Sequence, residues 1–67
     1  MGDRLLRRAE VSVLTGLSRT TLWKMEREGR FPRRRQLGRA AVAWSEREVM
    51  EWMESLPLAR QSLEEDG

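Results

Sequence analysis

The 67-residue sequence contains neither cysteine nor histidine. Without cysteine there are no disulfides and no thiolate ligands for a metal. Without histidine the chain lacks the commonest metal ligand and the usual general base of enzymes. So short a chain also buries only about 60% of the surface that its unfolded form exposes, which leaves little core to wall a catalytic cleft. We therefore expect one small domain with no metal, no cofactor and no catalytic residues.

Long apolar runs are also missing from the sequence. No stretch approaches the length of a membrane span, and the N-terminus lacks the apolar segment of a signal peptide. We expect a cytoplasmic protein without membrane contact.

Positive charge is concentrated in the first half of the chain. Residues 1–39 contain eleven of the thirteen basic residues and four acidic ones, for a net charge of +7. Residues 40–67 contain two basic and seven acidic residues, for a net charge of −5. This division predicts one basic and one acidic face. Ordinary solvated charge accounts well for the acidic half and poorly for the basic half.

Apolar spacing and turn residues predict a short strand and then two helices joined by a tight turn. Leu5-Leu6 is the strand, and residues 9–15 form the first helix. This helix ends at Gly16, because glycine readily adopts a positive φ. Ser18 is a good N-cap for the second helix, which Gly29 closes.

A hairpin and a third helix are predicted to follow. The hairpin tip is Gly38-Arg39-Ala40, and Val42 and Trp44 alternate as the inward face of the return strand. Ser45 and Glu48 form the S-x-x-E capping box that marks a helix start. The apolar side of this last helix consists of Val49, Trp52, Met53 and Leu56.

This order of elements predicts a mainly α fold with a small β-hairpin, namely a winged helix-turn-helix in a single small domain over residues 4–56. Pro57 either ends the last helix or starts a short one that holds Leu58 and Leu63. Residues 57–67 are expected to form an acidic tail that frays.

The second helix carries a polar and basic stripe opposite its apolar side. Leu22 and Met25 mark the side that faces the core, and Lys24 lies roughly 200° from Leu22 around the helix axis. Phe31, which follows the helix, is also expected to point into the core. The stripe consists of Thr20, Trp23, Lys24 and Arg27. A solvated helix face is the alternative, but DNA contact is favoured because few glutamates accompany these cations.

The N-terminus of this helix adds to the predicted DNA contact. Ser18 and Arg19 stand where free N–H groups attract a phosphate. Trp23 has two interpretations: its indole contacts DNA or covers the hydrocarbon stems of the basic face, or its ring is buried against Phe31 or the hairpin. Burial is slightly favoured, because tryptophan is usually largely buried.

The hairpin supplies a second set of predicted contacts. Its basic residues can follow a DNA strand at the base of the hairpin and enter a minor groove at its tip. These basic residues are Arg33, Arg34 and Arg39, and the amide of Gln36 shares a face with Arg34. Arg35 shares a face with Leu37, so it either pairs with a glutamate of the last helix or contacts DNA, and both interpretations stay open.

Residues 4–56 resemble the AlpA family of phage and prophage regulators, small relatives of excisionases and of the MerR-type winged-helix domain. The resemblance runs through RLLRRAEV, TGLSRTTLWKMEREGRFPRRRQLG and VAWSEREVMEW. It implies a DNA-binding winged helix-turn-helix that either controls transcription of a phage integrase gene or acts as an excision factor that bends attachment-site DNA. On its recognition helix and wing the resemblance places Ser18, Arg19, Thr20, Trp23, Lys24, Arg27 and Arg39. Two positions depart from the family pattern: Ala40 removes a common wing contact, and Arg35 replaces a commonly apolar residue.

The favoured hypothesis is therefore a sequence-preferring binder of double-stranded DNA that acts cooperatively or as a dimer. The alternative is a protein-interaction adaptor whose acidic last helix docks on a basic partner, such as an integrase or an RNA polymerase subunit. RNA binding is weaker, since exposed aromatic residues for stacking are scarce. Catalysis is weakest, because the glutamates of the last helix and the serines lack a partner base.

Overall fold

The computed structural model describes residues 2–59, which form three helices and a small sheet. The elements are β1 (Leu5–Leu6), α1 (Arg8–Thr15), α2 (Arg19–Arg27), β2 (Arg35–Gln36), β3 (Val42–Ser45) and α3 (Glu46–Glu54). The strands pair antiparallel in the order β1-β3-β2. The α1-turn-α2 unit followed by the β2-β3 hairpin is the predicted winged helix-turn-helix, and we call this hairpin the wing.

The core lies between the helices and the sheet. Its buried side chains are Leu6, Val11, Leu22, Phe31, Trp44 and Val49. Met25 and Trp52 are partly buried against this cluster, and the Phe31 ring meets the Trp52 ring edge to face at 4.7 Å between centroids. The inward positions predicted for α2 are therefore confirmed, as are Val49, Trp52 and Met53 of α3. Ala43 is buried as well, which alternation along β3 did not indicate.

The turn between α1 and α2 has the predicted geometry. Gly16 has a φ of 77°, and its N–H donates to the carbonyl oxygen of Ser12 at 2.8 Å. The hydroxyl oxygen of Ser18 then accepts the N–H of Thr21 at 3.2 Å and so caps α2. One boundary differs from the prediction: α1 begins at Arg8, one residue early.

The end of α2 is a Schellman-type turn. Gly29 has a φ of 76°, and the N–H of Arg30 reaches back to the carbonyl oxygen of Met25 at 2.8 Å. A side chain at Gly29 would strain the backbone, because L residues rarely adopt this φ. The turn directs the chain toward Phe31 and the core.

The start of α3 is capped by more residues than the sequence indicated. Ser45 accepts the N–H of Glu48 at 3.2 Å, as the capping box predicts. Because β1 lies beside β3, the carbonyl oxygen of Arg4 also accepts the N–H of Glu46 at 2.7 Å. The Asp3 carboxylate accepts the N–H of Arg47 at 2.9 Å and the hydroxyl of Ser45. The N-terminal segment therefore completes the cap of a helix more than forty residues away.

The end of α3 corrects one prediction and excludes one of the two alternatives left open for Pro57. The helix stops at Glu54, so Leu56 lies beyond it and is 48% exposed instead of completing the apolar stripe. Residues 57–59 are not helical, and Leu58 is exposed, so no short helix starts at Pro57. Leu63 and the rest of the predicted tail lie outside the described residues. Within residues 2–59, no helix is long and apolar enough to cross a membrane.

Protonation of Asp3 should weaken the fold. The hydrogen bond from the Ser45 hydroxyl, followed by that from the Arg47 N–H, holds the pKa of Asp3 below its ordinary value of 3.8. Because the pKa of Asp3 is lowered in the folded state, the stabilisation by its carboxylate is fully present above the ordinary pKa. It is lost as the pH falls through the lowered pKa of the folded state. In urea unfolding between about pH 2 and pH 5, the free energy of unfolding of Asp3→Asn should therefore depend less on pH than that of the wild type. Parallel profiles would contradict this role of Asp3.

Candidate nucleic-acid interface

The polar stripe of α2 faces solvent. Leu22 is 2% exposed and Met25 is half-buried, whereas Thr20, Lys24 and Arg27 are exposed. The two sides of α2 therefore point in the directions that their spacing predicts, and neither the wing nor α3 covers the cationic side.

The N-terminal turn of α2 divides its polar side chains between two tasks. The Ser18 hydroxyl both accepts the N–H of Thr21 and donates to the Thr21 hydroxyl oxygen at 3.0 Å, so it shapes the helix start. Arg19 and Thr20 are exposed and face a cleft between α1 and α2.

Two clefts, each of about 470 Å³, share Trp23 in their linings. The first, which we call the α1 cleft, is lined by Arg8, Arg19, Thr20, Leu22, Trp23, Glu26, Arg34 and Trp44. The second, which we call the wing cleft, is lined by Trp23, Glu26, Arg27, Arg33, Arg34 and Gln36. The structure thus brings together seven of the ten predicted contact residues. Lys24 lies along the same exposed side of α2, Ser18 caps the helix, and Arg39 stands at the wing tip.

Arg8 is a member of this surface that the sequence did not indicate. An arginine in the first turn of α1, next to Arg7, carries no signal by itself. It joins Arg19 and Thr20 only because α1 packs against α2, which is a tertiary contact.

The favoured prediction for Trp23, burial against Phe31 or the hairpin, is wrong. Its side chain is 51% exposed. Trp23 directly follows buried Leu22, and successive residues of an α-helix are rotated by about 100°, so its side chain points away from the core. Trp52 packs against Phe31 instead, and its indole N–H donates to the carbonyl oxygen of Arg30 at 2.8 Å.

The guanidinium of Arg27 covers the exposed indole of Trp23. Its ζ carbon lies 4.7 Å from the centroid of the ring. This distance is within the range of a cation–π interaction. The two side chains therefore form one solvent-facing unit beside the wing cleft.

Glu26 is a buried carboxylate whose burial the sequence analysis did not predict. It is 9% exposed, and its Oε2 accepts the backbone N–H of Arg34 at 2.7 Å. Its Oε1 lies 3.5 Å from the Arg34 guanidinium. The position four residues after Leu22, on the same side of the helix, was the signal that could have revealed it. Glu26 therefore ties the base of the wing to α2 and partly neutralises Arg34.

The wing is shaped by side chains that were predicted to contact DNA or to pair. The amide of Gln36 donates to the carbonyl oxygen of Gly38, which holds the tip, and Arg39 on that tip is exposed. The guanidinium of Arg35 forms an ion pair with Glu48 of α3. Of the two interpretations of Arg35, pairing with the last helix is confirmed.

Ion pairs divide the cations of the described residues into two groups. Four arginines have carboxylate partners, in the pairs Arg4–Glu46, Arg30–Glu28, Arg34–Glu26 and Arg35–Glu48. Within residues 2–59, no carboxylate forms an ion pair with the other eight, which are Arg7, Arg8, Arg19, Lys24, Arg27, Arg33, Arg39 and Arg47. Five of these eight were predicted contacts, namely Arg19, Lys24, Arg27, Arg33 and Arg39. Their charge remains available to a polyanion.

Comparison with known proteins identifies the family. Residues 4–57 match the family described as prophage CP4-57 regulatory protein (AlpA). The chain is also 47% identical over 51 residues to an uncharacterized protein, ORF88, of Enterobacteria phage P4. The matched segment covers 76% of this chain and 58% of that relative, so the chain spans less than two thirds of the relative's length. The chain belongs to the AlpA family, as its motifs predicted.

Replacing Glu26 should loosen the junction between α2 and the wing. In Glu26→Ala the Arg34 N–H loses its acceptor, which should lower the free energy of unfolding by about 1–3 kcal/mol. Glu26→Gln keeps an acceptor and should cost less. Urea unfolding measures both, with Glu51→Ala, at an exposed position of α3, as the control expected to change by less than about 0.5 kcal/mol. Equal losses in Glu26→Ala and Glu51→Ala would show that Glu26 is no tether.

Proposed function

We propose that this member of the AlpA family is a phage-type regulator that binds double-stranded DNA by placing α2 in the major groove. The observation that carries the proposal is the solvent-facing row of cations on α2 that lack carboxylate partners. The major groove of B-DNA admits an α-helix, and the second helix of a helix-turn-helix docks there. Lys24 and Arg27 then reach phosphates or base edges, and Arg19 and Thr20 meet the backbone at the helix N-terminus.

The wing supports the same docking. Arg33 lines the wing cleft together with Arg27. A DNA backbone that follows this cleft therefore passes close to both side chains. Arg39 at the tip extends toward the neighbouring minor groove. Arg34 contributes less, because Glu26 partly neutralises it.

The biological role follows from this binding in one of two ways. The protein controls transcription, for example of an integrase gene, or it directs excision by bending attachment-site DNA. A single module of this kind covers on the order of 600–1,000 Å² of its own surface. We therefore propose that the unit over residues 4–56 binds repeated half-sites cooperatively or as a dimer, on DNA of the nucleoid. Glu51 and Glu54, which are exposed on α3, offer an acidic side for contact with an integrase or RNA polymerase.

Duplex affinity should fall steeply with salt. If three to five phosphates are contacted, a plot of log K against log salt concentration should have a slope of roughly −3 to −5, because bound cations release counterions from DNA. Fluorescence anisotropy of a labelled duplex, titrated between about 50 and 200 mM salt, gives this slope. A flat response would contradict backbone contact.

Reversing charge on the α2 stripe should abolish duplex binding. Lys24→Glu combined with Arg27→Glu should weaken binding by at least roughly 100-fold, since two cations that face the DNA become anions that the phosphates repel. The matched control, Arg4→Glu with Arg47→Glu, changes the net charge equally but lies where residues 3 and 4 meet α3. It should keep most of the affinity.

Thermal unfolding of both double variants confirms that the fold is retained. Equal losses would mean that only net charge matters and that α2 is not the contact surface. Unchanged binding by the α2 variant would overturn the proposal and favour an adaptor that docks through α3.

A further inference from the structure

Trp23 and Arg27 stand one helical turn apart on the exposed side of α2, and their side chains stack. The ζ carbon of Arg27 lies 4.7 Å from the centre of the Trp23 ring, and the indole remains 51% exposed. Since the core does not hold this tryptophan, its main intramolecular role in the structure is to support the guanidinium of Arg27.

The hydrogen-bonding capacity of Arg27 is free within residues 2–59, where its guanidinium has no hydrogen-bond or ion-pair partner. Arginine guanidinium groups can stack on aromatic faces, and a stacked group keeps its N–H donors directed outward in its own plane. Within residues 2–59, no carboxylate pairs with Arg27. By contrast, Arg30, which is the next basic residue along the chain, is paired with Glu28. Arg27 therefore presents an unoccupied planar fork of donors beside the wing cleft.

A planar fork of this kind matches one base edge in the major groove. Guanine presents its O6 and N7 acceptors side by side, and bidentate arginine is the commonest specific contact to them. An arginine whose orientation is already restricted loses less side-chain freedom when it binds. Lys24, the neighbouring cation, is a flexible point charge that lacks the planar fork of arginine.

We infer that Trp23 positions Arg27 for bidentate recognition of a guanine and thereby gives the interface a guanine preference. This inference rests on the proposed DNA binding and adds the base that is recognised and the residue that sets the recognition. Trp23 is a positioning residue here, because it acts through the guanidinium of Arg27.

The first test measures base preference with the full chain. Duplexes selected from a random pool by the wild type should share a guanine at one position, and replacing it should weaken binding by roughly 5- to 150-fold. Arg27→Ala should lose this discrimination. Trp23→Leu should reduce it by about two- to five-fold, with the salt slope unchanged because the number of phosphate contacts is the same. Trp23→Phe, which keeps an aromatic face, should retain most of it.

A double-mutant cycle separates positioning from direct contact by Trp23. If Trp23 acts through Arg27, Trp23→Leu should have little further effect on guanine discrimination in an Arg27→Ala background. The control pair is Trp23→Leu with Arg39→Ala. The effects of these two changes on guanine discrimination should add, since Arg39 lies on the wing tip. Circular dichroism verifies the fold of each variant, all of which alter exposed positions.

Three results would overturn the inference. Trp23→Leu could keep full guanine discrimination, its effect could persist undiminished without Arg27, or the wild type could bind duplexes in a salt-dependent manner with no guanine preference. The last result would leave the proposed DNA binding intact. A wild type that binds no duplex would overturn that proposal and this inference together.

Discussion

Leu22 and Glu26 occupy the same side of α2, one turn apart, and both are buried. Leu22 joins the apolar cluster, and Glu26 finds its partners at the base of the wing. Together they fix the rotation of α2 about its own axis, because turning the helix would expose an apolar side chain and strip a buried carboxylate of its hydrogen bonds. With that rotation set, Thr20, Lys24 and Arg27 must face outward.

The same constraint positions the wing relative to α2. Arg34 and Arg35 are adjacent at the start of the hairpin, so their side chains point to opposite faces. Arg34 pairs with Glu26 of α2, and Arg35 pairs with Glu48 of α3. The hairpin is therefore held by a carboxylate on each side. A run of three arginines that resembles a uniform basic patch in the sequence is divided in the structure, with Arg33 left free among the described residues.

Much of this architecture was predictable from local signals. Gly16 and Ser18 marked the turn, Ser45 marked the start of α3, and Leu22 with Met25 marked the inward side of α2, because backbone conformation and helical periodicity act over a few residues. Motif spacing also indicated the family that comparison confirmed. The cationic side of α2 followed directly from this periodicity.

Contacts between distant segments account for what was not predicted. The part that Asp3 takes in capping α3 depends on β1 lying beside β3, and the place of Arg8 in the α1 cleft depends on how two helices pack. The place beside Phe31 that was favoured for Trp23 is filled by Trp52, far along the chain.

The order of elements, the N-caps Ser18 and Ser45, and the side of α2 that carries charge were determined by the sequence alone, since they depend on neighbours within one or two turns. Which arginines keep their charge free was decided only by the tertiary structure. Glu26 pairs with Arg34 because it is buried at the junction of α2 and the wing, and Glu48 pairs with Arg35 because the wing packs on α3. Such pairing requires carboxylates from other elements, and no local pattern encodes their approach.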